Sequence, residues 1–467
     1  MPAATFTSNL FSLLADLIPD VDDDVDAVEA TPVTVDDGAL PKPINPNTSS
    51  GGSTGTAVLE APAPGLPETD ANLDYRPDDD EFVDPAEDEE DPDLEIMHTT
   101  FDLLALEEQQ HHKPVFTKGL LRRIAHDVAC ILSEQSKSVG QRTTGSIHNE
   151  INGRSTKVWK AVDNANSITV NYMTSVELCP GFQEKFGTVH KRSKTLRGLN
   201  TSMAECEVNT TFAPYFIESY RRAPDTTHLN PALMKLWHAK LHRTQELWTA
   251  STSCTNLLSV IRIGAGKLKM PITKLVCIGL GKLNANPAFC QSALQHMSVI
   301  SIAKCIDAFN RAEHPKSPPV QIIAQDPCYE PCDHILLQQL TTIPIDFTLS
   351  DPETLLAIDT NTLVVSAYLP TSVPLMQIVA DMFAQEQGPA MMLWDQVKCL
   401  STEKRWYCMR NRDSPGVARF LDGYLRWQRG FGGLGEEELK RDLWREKRFG
   451  YWLDGMDLWV RKDDEVK

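Results

Sequence analysis

Residues 275–281 read LVCIGLG, an apolar run that ends in glycines. A continuous apolar run is typical of a strand that is buried on both faces, as strands of parallel sheets are. Glycines directly after such a strand allow a tight strand-to-helix turn, because glycine adopts positive φ without a steric cost. The stretch therefore predicts the first strand of a parallel sheet that helices cover on both sides.

The same alternation of strand and helix continues to about residue 400. Further buried strands are predicted at 320–324, 345–349, 363–367 and 391–394, with helical patterns between them. Apolar strands that alternate with amphipathic helices give a mostly parallel sheet with helices on both faces and right-handed crossovers. We therefore predict a Rossmann-like α/β core over residues 271–400.

The regions on either side of this core predict helical extensions. Residues 98–270 predict a helical or mixed region, in which 136–225 has no readable periodicity. Thr117 and Asn230 each precede an apolar stripe at helical spacing, as N-cap residues do. Residues 401–467 predict a helical C-terminal extension that is rich in aromatic residues.

The tryptophans of the C-terminal extension alternate with arginine and lysine, which is a pattern that binds single-stranded nucleic acid through stacking and charge. Residues 403–467 hold 15 basic and 13 acidic residues, however. A strong positive field is therefore absent, and we favour the interpretation that the aromatic side chains pack against the sheet. No strong nucleic-acid signal follows from the sequence.

Residues 1–97 have a composition that predicts a disordered acidic tail. They hold 2 basic and 25 acidic residues, whereas the whole chain carries a net charge of −19. Such a segment buries too little apolar surface to offset the entropy of ordering it. Two apolar islands, 6–18 and 101–106, have the character of short helices that dock on protein partners. No apolar run approaches the roughly 18 residues that span a membrane.

A ligand site is predicted where the strands of the core end. Gly279 and Gly281 follow the first strand, Asp326 the second, and Tyr368 a later one. Parallel strands end at one edge of a sheet, where glycine turns can approach phosphate and an acid can bind ribose hydroxyls. These residues suit a nucleotide or S-adenosylmethionine. The alternative is that the glycines serve a tight turn and that Asp326 caps a turn before Pro327.

Metal binding is not predicted. Cys328, Cys332 and His334 form a C-x3-C-x-H pattern, but no second cysteine pair lies at the short spacing that zinc sites use. Eleven cysteines without framework spacing indicate a reducing compartment.

The core resembles the Sensitivity-to-Red-Light-Reduced family, in the form that fungal members take. The resemblance lies in a strand ending in GLG, a strand ending in Asp-Pro, an acid-rich middle and a strand before a proline turn. In this chain these motifs are at 275–281, 322–327, 350–359 and 362–370. The resemblance implies a cytoplasmic or nuclear regulator that acts in signalling or clock-like regulation, and it supplies no catalytic residues or cofactor.

Two hypotheses about function follow from the sequence. The first is a non-enzymatic regulatory protein whose acidic tail and apolar islands recruit protein partners, and whose core is open to a small nucleotide-like ligand. The second is a transferase that uses S-adenosylmethionine or a nucleotide at the edge formed by Gly279, Gly281, Asp326 and Tyr368.

Overall fold

The structure is a computed structural model. It describes residues 97–135, 144–148, 155–160, 167–179, 181–182, 185, 214–220, 227–283, 290–397, 401–431 and 452–463. The predicted disordered tail therefore lies outside the described residues, except for Met97, and so does the first apolar island. The uninterpreted stretch 136–225 is described only in part.

Helices are found on both sides of the central sheet. In chain order they are α1 Leu103–Gln109, α2 Lys118–Gln135, α3 Pro231–Thr249, α4 Thr252–Ala265, α5 Cys290–Glu313, α6 Pro331–Gln339, α7 Asp351–Leu356, α8 Leu375–Met382 and α9 Pro415–Leu421. None of the helices in these described segments has the length and hydrophobicity needed to cross a lipid bilayer.

Within the described residues, the strands form one large sheet and three two-stranded pairs. In chain order they are β1 Phe101–Asp102, β2 Thr144–His148, β3 Ser155–Lys160, β4 Ser167–Tyr172, β5 Tyr215–Tyr220, β6 Lys274–Ile278, β7 Gln321–Gln325, β8 Ile345–Asp346, β9 Thr362–Val365, β10 Met391–Asp395, β11 Trp406–Tyr407, β12 Tyr424–Arg429 and β13 Met456–Arg461. The large sheet has the order β12-β13-β10-β9-β6-β7-β8, and the pairs are β1–β11, β2–β3 and β4–β5.

Five consecutive strands of the large sheet, from β10 to the edge strand β8, are parallel, which confirms the predicted α/β class. Strand β6 pairs in parallel with β7 and β9, β7 with β8, and β9 with β10. Val276 and Ile278 face one apolar cluster, whereas Leu275 and Cys277 face another. Because all four side chains are buried, β6 has no solvent-facing side. Burial on both faces explains why the sequence of β6 is continuously apolar.

Helices from the N-terminal region contribute to both faces of the sheet. On the Val276 face, α2 buries the apolar stripe from Leu120 to Ile131, whereas Leu132 is exposed. Leu120 N–H donates to the Thr117 hydroxyl at 3.1 Å. On the opposite face lie α3 and α4. The sequence suggested one helix here, but the Ser251 hydroxyl accepts from Cys254 N–H and starts α4 as a second one.

The predicted helical C-terminal extension is wrong over two of its segments. Although α9 forms as expected, Tyr424–Arg429 and Met456–Arg461 are strands β12 and β13. Strand β13 runs antiparallel to both β10 and β12. The physical reason is that β10 would otherwise be an open edge of the sheet, and unpaired strand edges expose backbone groups that need partners.

Candidate functional site

The carboxyl edge, where β6, β7, β9 and β10 end, is the candidate site. Numbered along the chain, the parallel strands lie in the order 3-2-1-4-5, which is the order of the Rossmann fold. The chain leaves β6 toward β7 on one side, and the later strand β9 lies on the other. Ligands of such sheets bind in the crevice at this reversal, beyond the ends of the strands. Here the crevice lies between β6 and β9.

Gly279 is the first residue beyond β6, and a protein side chain covers it. Its φ is +71°, and a Cβ built on it would lie 2.1 Å from Leu369 Cδ2. Leu369 belongs to the turn that follows β9. The absence of a side chain at Gly279 thus serves a left-handed turn and the close approach of Leu369. In this conformation Leu369 fills the space beside the Gly279 Cα, and the Gly279 N–H donates to the Gln325 carbonyl at 2.9 Å.

Asp326 joins the turns after β6 and β7. Its Oδ2 accepts from Gly281 N–H at 2.7 Å, and its Oδ1 accepts from Cys328 N–H at 2.7 Å. Gly281 has φ +76°, so its amide can point at the carboxylate. The structure therefore brings Gly281 and Asp326 together, and both carboxylate oxygens hold backbone groups of the protein. Asp326 is partly exposed.

Tyr368, after β9, has a strained backbone that its neighbours hold in place. Its φ is +55°, a left-handed conformation that costs a non-glycine residue about 1–3 kcal/mol. The Tyr368 N–H donates to Asp395 Oδ1 at 2.9 Å, and its hydroxyl donates to the Trp452 carbonyl at 2.9 Å. Asp395 also pairs with Arg412, from Oδ2 to Nη1 at 3.1 Å. Burial raises the pKa of Asp395, and Arg412 opposes that rise.

A buried histidine lies behind the turns of β6 and β7. His296 Nδ1 is 2.6 Å from the Ser292 carbonyl, which can only accept, so this nitrogen carries the proton. Its Nε2 then accepts from the Tyr329 hydroxyl at 2.8 Å. Burial lowers the pKa of His296 to about 4. The imidazole is therefore neutral at pH 7, and both nitrogens are engaged, so it offers no lone pair to a substrate in this arrangement.

The start of α6 gathers three potential metal ligands. One ligand atom each of Glu330, Cys332 and Asp333 lies within 4.8 Å of the others. The Asp333 oxygens accept from Leu283 N–H and from Glu330 N–H, both at 2.8 Å. The second contact is half of a capping box that begins α6. The cluster is thus accounted for by helix capping and by fixing the turn after β6.

Residues 252–426 match the family model of the SRR1 domain. This match confirms the resemblance to the Sensitivity-to-Red-Light-Reduced family. It covers a little over a third of the chain, from α4 through all five parallel strands to the beginning of β12. At a coarse level it supports a regulatory role. Comparison with curated proteins and with solved structures gave no match.

The sequence did not predict a small pocket that residues of the matched region form together with Leu103 and residues 174–176. It lies beyond the ends of β9 and β10 and has a cavity volume of about 40 Å³. Ser366, Trp394 and Arg412 line it, together with apolar side chains such as Leu369 and Met376. The sequence carried one available signal, because Ser366 and Trp394 are close to the carboxyl ends of apolar runs, where site residues of parallel sheets lie.

Proposed function

We propose that this protein is a non-enzymatic regulatory protein whose SRR1 domain is a folded scaffold for protein partners. The SRR1 match supports the regulatory part. The non-enzymatic part is supported by how the carboxyl edge is built. Asp326 holds two backbone amides, Tyr368 is bound to Asp395 and Trp452, and Leu369 covers Gly279. These polar groups therefore stabilise the turns.

The single observation that carries the proposal is the double contact of Asp326. A carboxylate that binds ribose hydroxyls must present oxygen lone pairs to the ligand. At Asp326 both oxygens already accept short hydrogen bonds from the backbone, and such charge-assisted bonds are about twice as strong as neutral ones. Each oxygen thus commits one of its two lone pairs to the protein's own turns, which favours a structural role for the acid.

Partner recruitment is assigned in this proposal to the acidic tail and its first apolar island, 6–18. The second island, 101–106, already packs within the chain, because Leu103 is buried and Phe101 and Leu106 contact the same apolar cluster. The net charge of residues 1–97 favours basic partner surfaces, and apolar stripes flanked by acid are suited to docking in grooves. Signalling or clock-like regulation in the cytoplasm or nucleus would follow from the family resemblance.

Complementation tests this function. Cells that lack the protein receive the full chain, a chain without residues 1–97, or the full chain with Asp326→Glu, which keeps the charge but moves it. The proposal expects that loss of the tail abolishes rescue, and that Asp326→Glu affects rescue only as far as it lowers the amount of folded protein. Full rescue without the tail contradicts the proposal.

The second candidate function is a transferase that uses S-adenosylmethionine or a nucleotide. The strand order favours it, since the parallel order 3-2-1-4-5 continues into an antiparallel β13 and then β12. Open parallel sheets of this order bind dinucleotides at the reversal of the strand order. An analogy of this kind concerns the fold, and activity must be argued from the site.

Thermal denaturation separates the two candidates. A ligand that binds only the folded protein stabilises it by about 2.7 kcal/mol at 100 times its dissociation constant. The transferase hypothesis expects a saturable rise in melting temperature with S-adenosylmethionine, S-adenosylhomocysteine or a nucleotide at millimolar concentration. The regulatory hypothesis expects none of these to have an effect.

A further inference from the structure

The pocket beyond β9 and β10 contains two buried polar groups that have no partner. Ser366 is 2% exposed and Trp394 is 1% exposed. Neither the Ser366 hydroxyl nor the Trp394 indole N–H has a hydrogen-bond partner among the described residues. A buried polar group without a partner costs about 1–3 kcal/mol. Both residues line the same cavity, so a partner for the two atoms is sought there.

The chemistry of these groups defines the partner's contact atom. An indole N–H can only donate, whereas a serine hydroxyl donates and accepts. The missing partner must accordingly present an acceptor, and one oxygen between the two groups would serve both.

The charges around the pocket argue against an anion. Arg412 pairs with Asp395 at 3.1 Å, and Asp413, another lining residue, pairs with Lys404 at 3.0 Å. Each cation is therefore already matched by a carboxylate. An anionic ligand would lose its hydration without gaining an uncompensated positive charge, which is costly in a buried site. A neutral acceptor has no such penalty.

The size and lining of the pocket restrict the ligand further. The cavity volume of about 40 Å³ is enough for about three water molecules. Apolar side chains of Val176, Leu369 and Met376 form part of the wall. A compound of about four heavy atoms with one apolar end and one carbonyl end matches both the size and the lining.

We propose that this pocket is a binding site for a small neutral amide or carbonyl compound, whose oxygen accepts from Trp394 Nε1–H and from the Ser366 hydroxyl. The site is distinct from the crevice between β6 and β9, although Leu369 lies against both. It does not depend on whether the protein is a regulator or a transferase.

The indole N–H signals of the full-length protein test the proposal. Selective ¹⁵N labelling of tryptophan gives at most one signal for each of the nine indole groups, and Trp394→Phe identifies the Trp394 signal by removing it. The probe is acetamide, with acetate at equal ionic strength as the isosteric anion. Acetamide is expected to move the Trp394 signal downfield in a saturable manner, whereas acetate leaves it in place.

The chain supplies internal controls for this titration. The indole N–H groups of Trp452 and Trp459 also lack partners among the described residues but do not line the pocket, so their signals should not move. The Trp248 indole N–H donates to the Ser301 hydroxyl at 3.1 Å, so its signal is the reference for a hydrogen-bonded indole. Equal shifts at Trp394, Trp452 and Trp459 would indicate a general solvent effect and would overturn the proposal.

A serine variant provides the second test and does not require Trp394→Phe to fold. Ser366→Ala removes one donor and should weaken acetamide binding about two- to tenfold, the range expected for one hydrogen bond. Ser298→Ala is the matched control, because its hydroxyl is buried but donates to the Leu294 carbonyl, away from the pocket. A Trp394 signal that responds equally to acetamide and acetate overturns the proposal. A Trp394 signal that does not respond to acetamide also overturns it and indicates that a resident water molecule is the partner.

Discussion

Replacing Asp326 by asparagine separates a structural acid from a ligand-binding acid. The carboxylate accepts one backbone N–H on each oxygen, from Gly281 and from Cys328. Asparagine has a single acceptor oxygen, and its NH₂ group would face the other backbone donor. The variant therefore loses at least one charge-assisted hydrogen bond and leaves one amide unpaired.

The expected cost follows from that loss. A hydrogen bond to a charged group contributes about 1.5–3 kcal/mol, so Asp326→Asn should lower the free energy of unfolding by about 2 kcal/mol. Urea denaturation of the full-length protein measures this as a lower midpoint at unchanged slope. At Asp346 one oxygen accepts both from Thr348 N–H and from its hydroxyl. Because asparagine can keep both bonds there, Asp346→Asn is the matched control, with an expected loss below about 0.5 kcal/mol.

The result that would refute this reasoning is an Asp326→Asn midpoint equal to that of the wild type and of Asp346→Asn. The turn would then not depend on the carboxylate, and a role toward a ligand would become the better explanation of the acid.

Three further predictions concern the core, the buried histidine and the covered glycine. Val276→Asp places a carboxylate at a fully buried position and should cost several kcal/mol, so a soluble variant with an unchanged melting temperature would contradict the fold. Because burial lowers the pKa of His296 to about 4, the unfolded chain takes up a proton below about pH 6.5 while the folded protein does not. The free energy of unfolding should therefore fall by about 2 kcal/mol from pH 7.5 to 5, and urea titrations of His296→Gln should lack this decrease. An equal pH dependence in the wild type and the variant would show that His296 does not cause the decrease. Gly279→Ala should lower the free energy of unfolding, both because φ at this position is positive and because the new Cβ would contact Leu369. The double variant with Leu369→Ala should lose at least about 0.5 kcal/mol less than the sum of the two single variants. Simple additivity would show that Leu369 does not limit the space for a side chain at position 279.

The parallel core could be predicted because its signal is local. Strand β6 is buried on both faces, so its sequence is continuously apolar, and the turn that follows needs glycine at positive φ. The C-terminal strands could not be found in this way. Strand β12 directly follows α9, and Tyr424 and Leu425 continue the helical spacing of that segment. What makes it a strand is pairing with β13 about 30 residues later, which is a non-local interaction.

The sequence could predict where the candidate site lies, but not how its side chains are arranged. Topology alone places the turns after β6, β7 and β9 at one edge, and the sequence supplied Gly281 and Asp326, which are in contact. Whether an acid faces a ligand or the backbone depends on turn geometry that composition does not encode. The same applies to Leu369 over Gly279, and to the pairing of His296 with Tyr329 across 33 residues.

Equilibrium dialysis of the full-length protein against labelled S-adenosylmethionine and ATP tests the central claim most directly. The claim is that the carboxyl edge of the SRR1 domain is held by its own side chains and serves regulation. It predicts no retention of either compound at protein concentrations of about 100 μM, that is, dissociation constants well above about 100 μM. Stoichiometric retention that disappears in Asp326→Asn, while the variant remains folded, would contradict it.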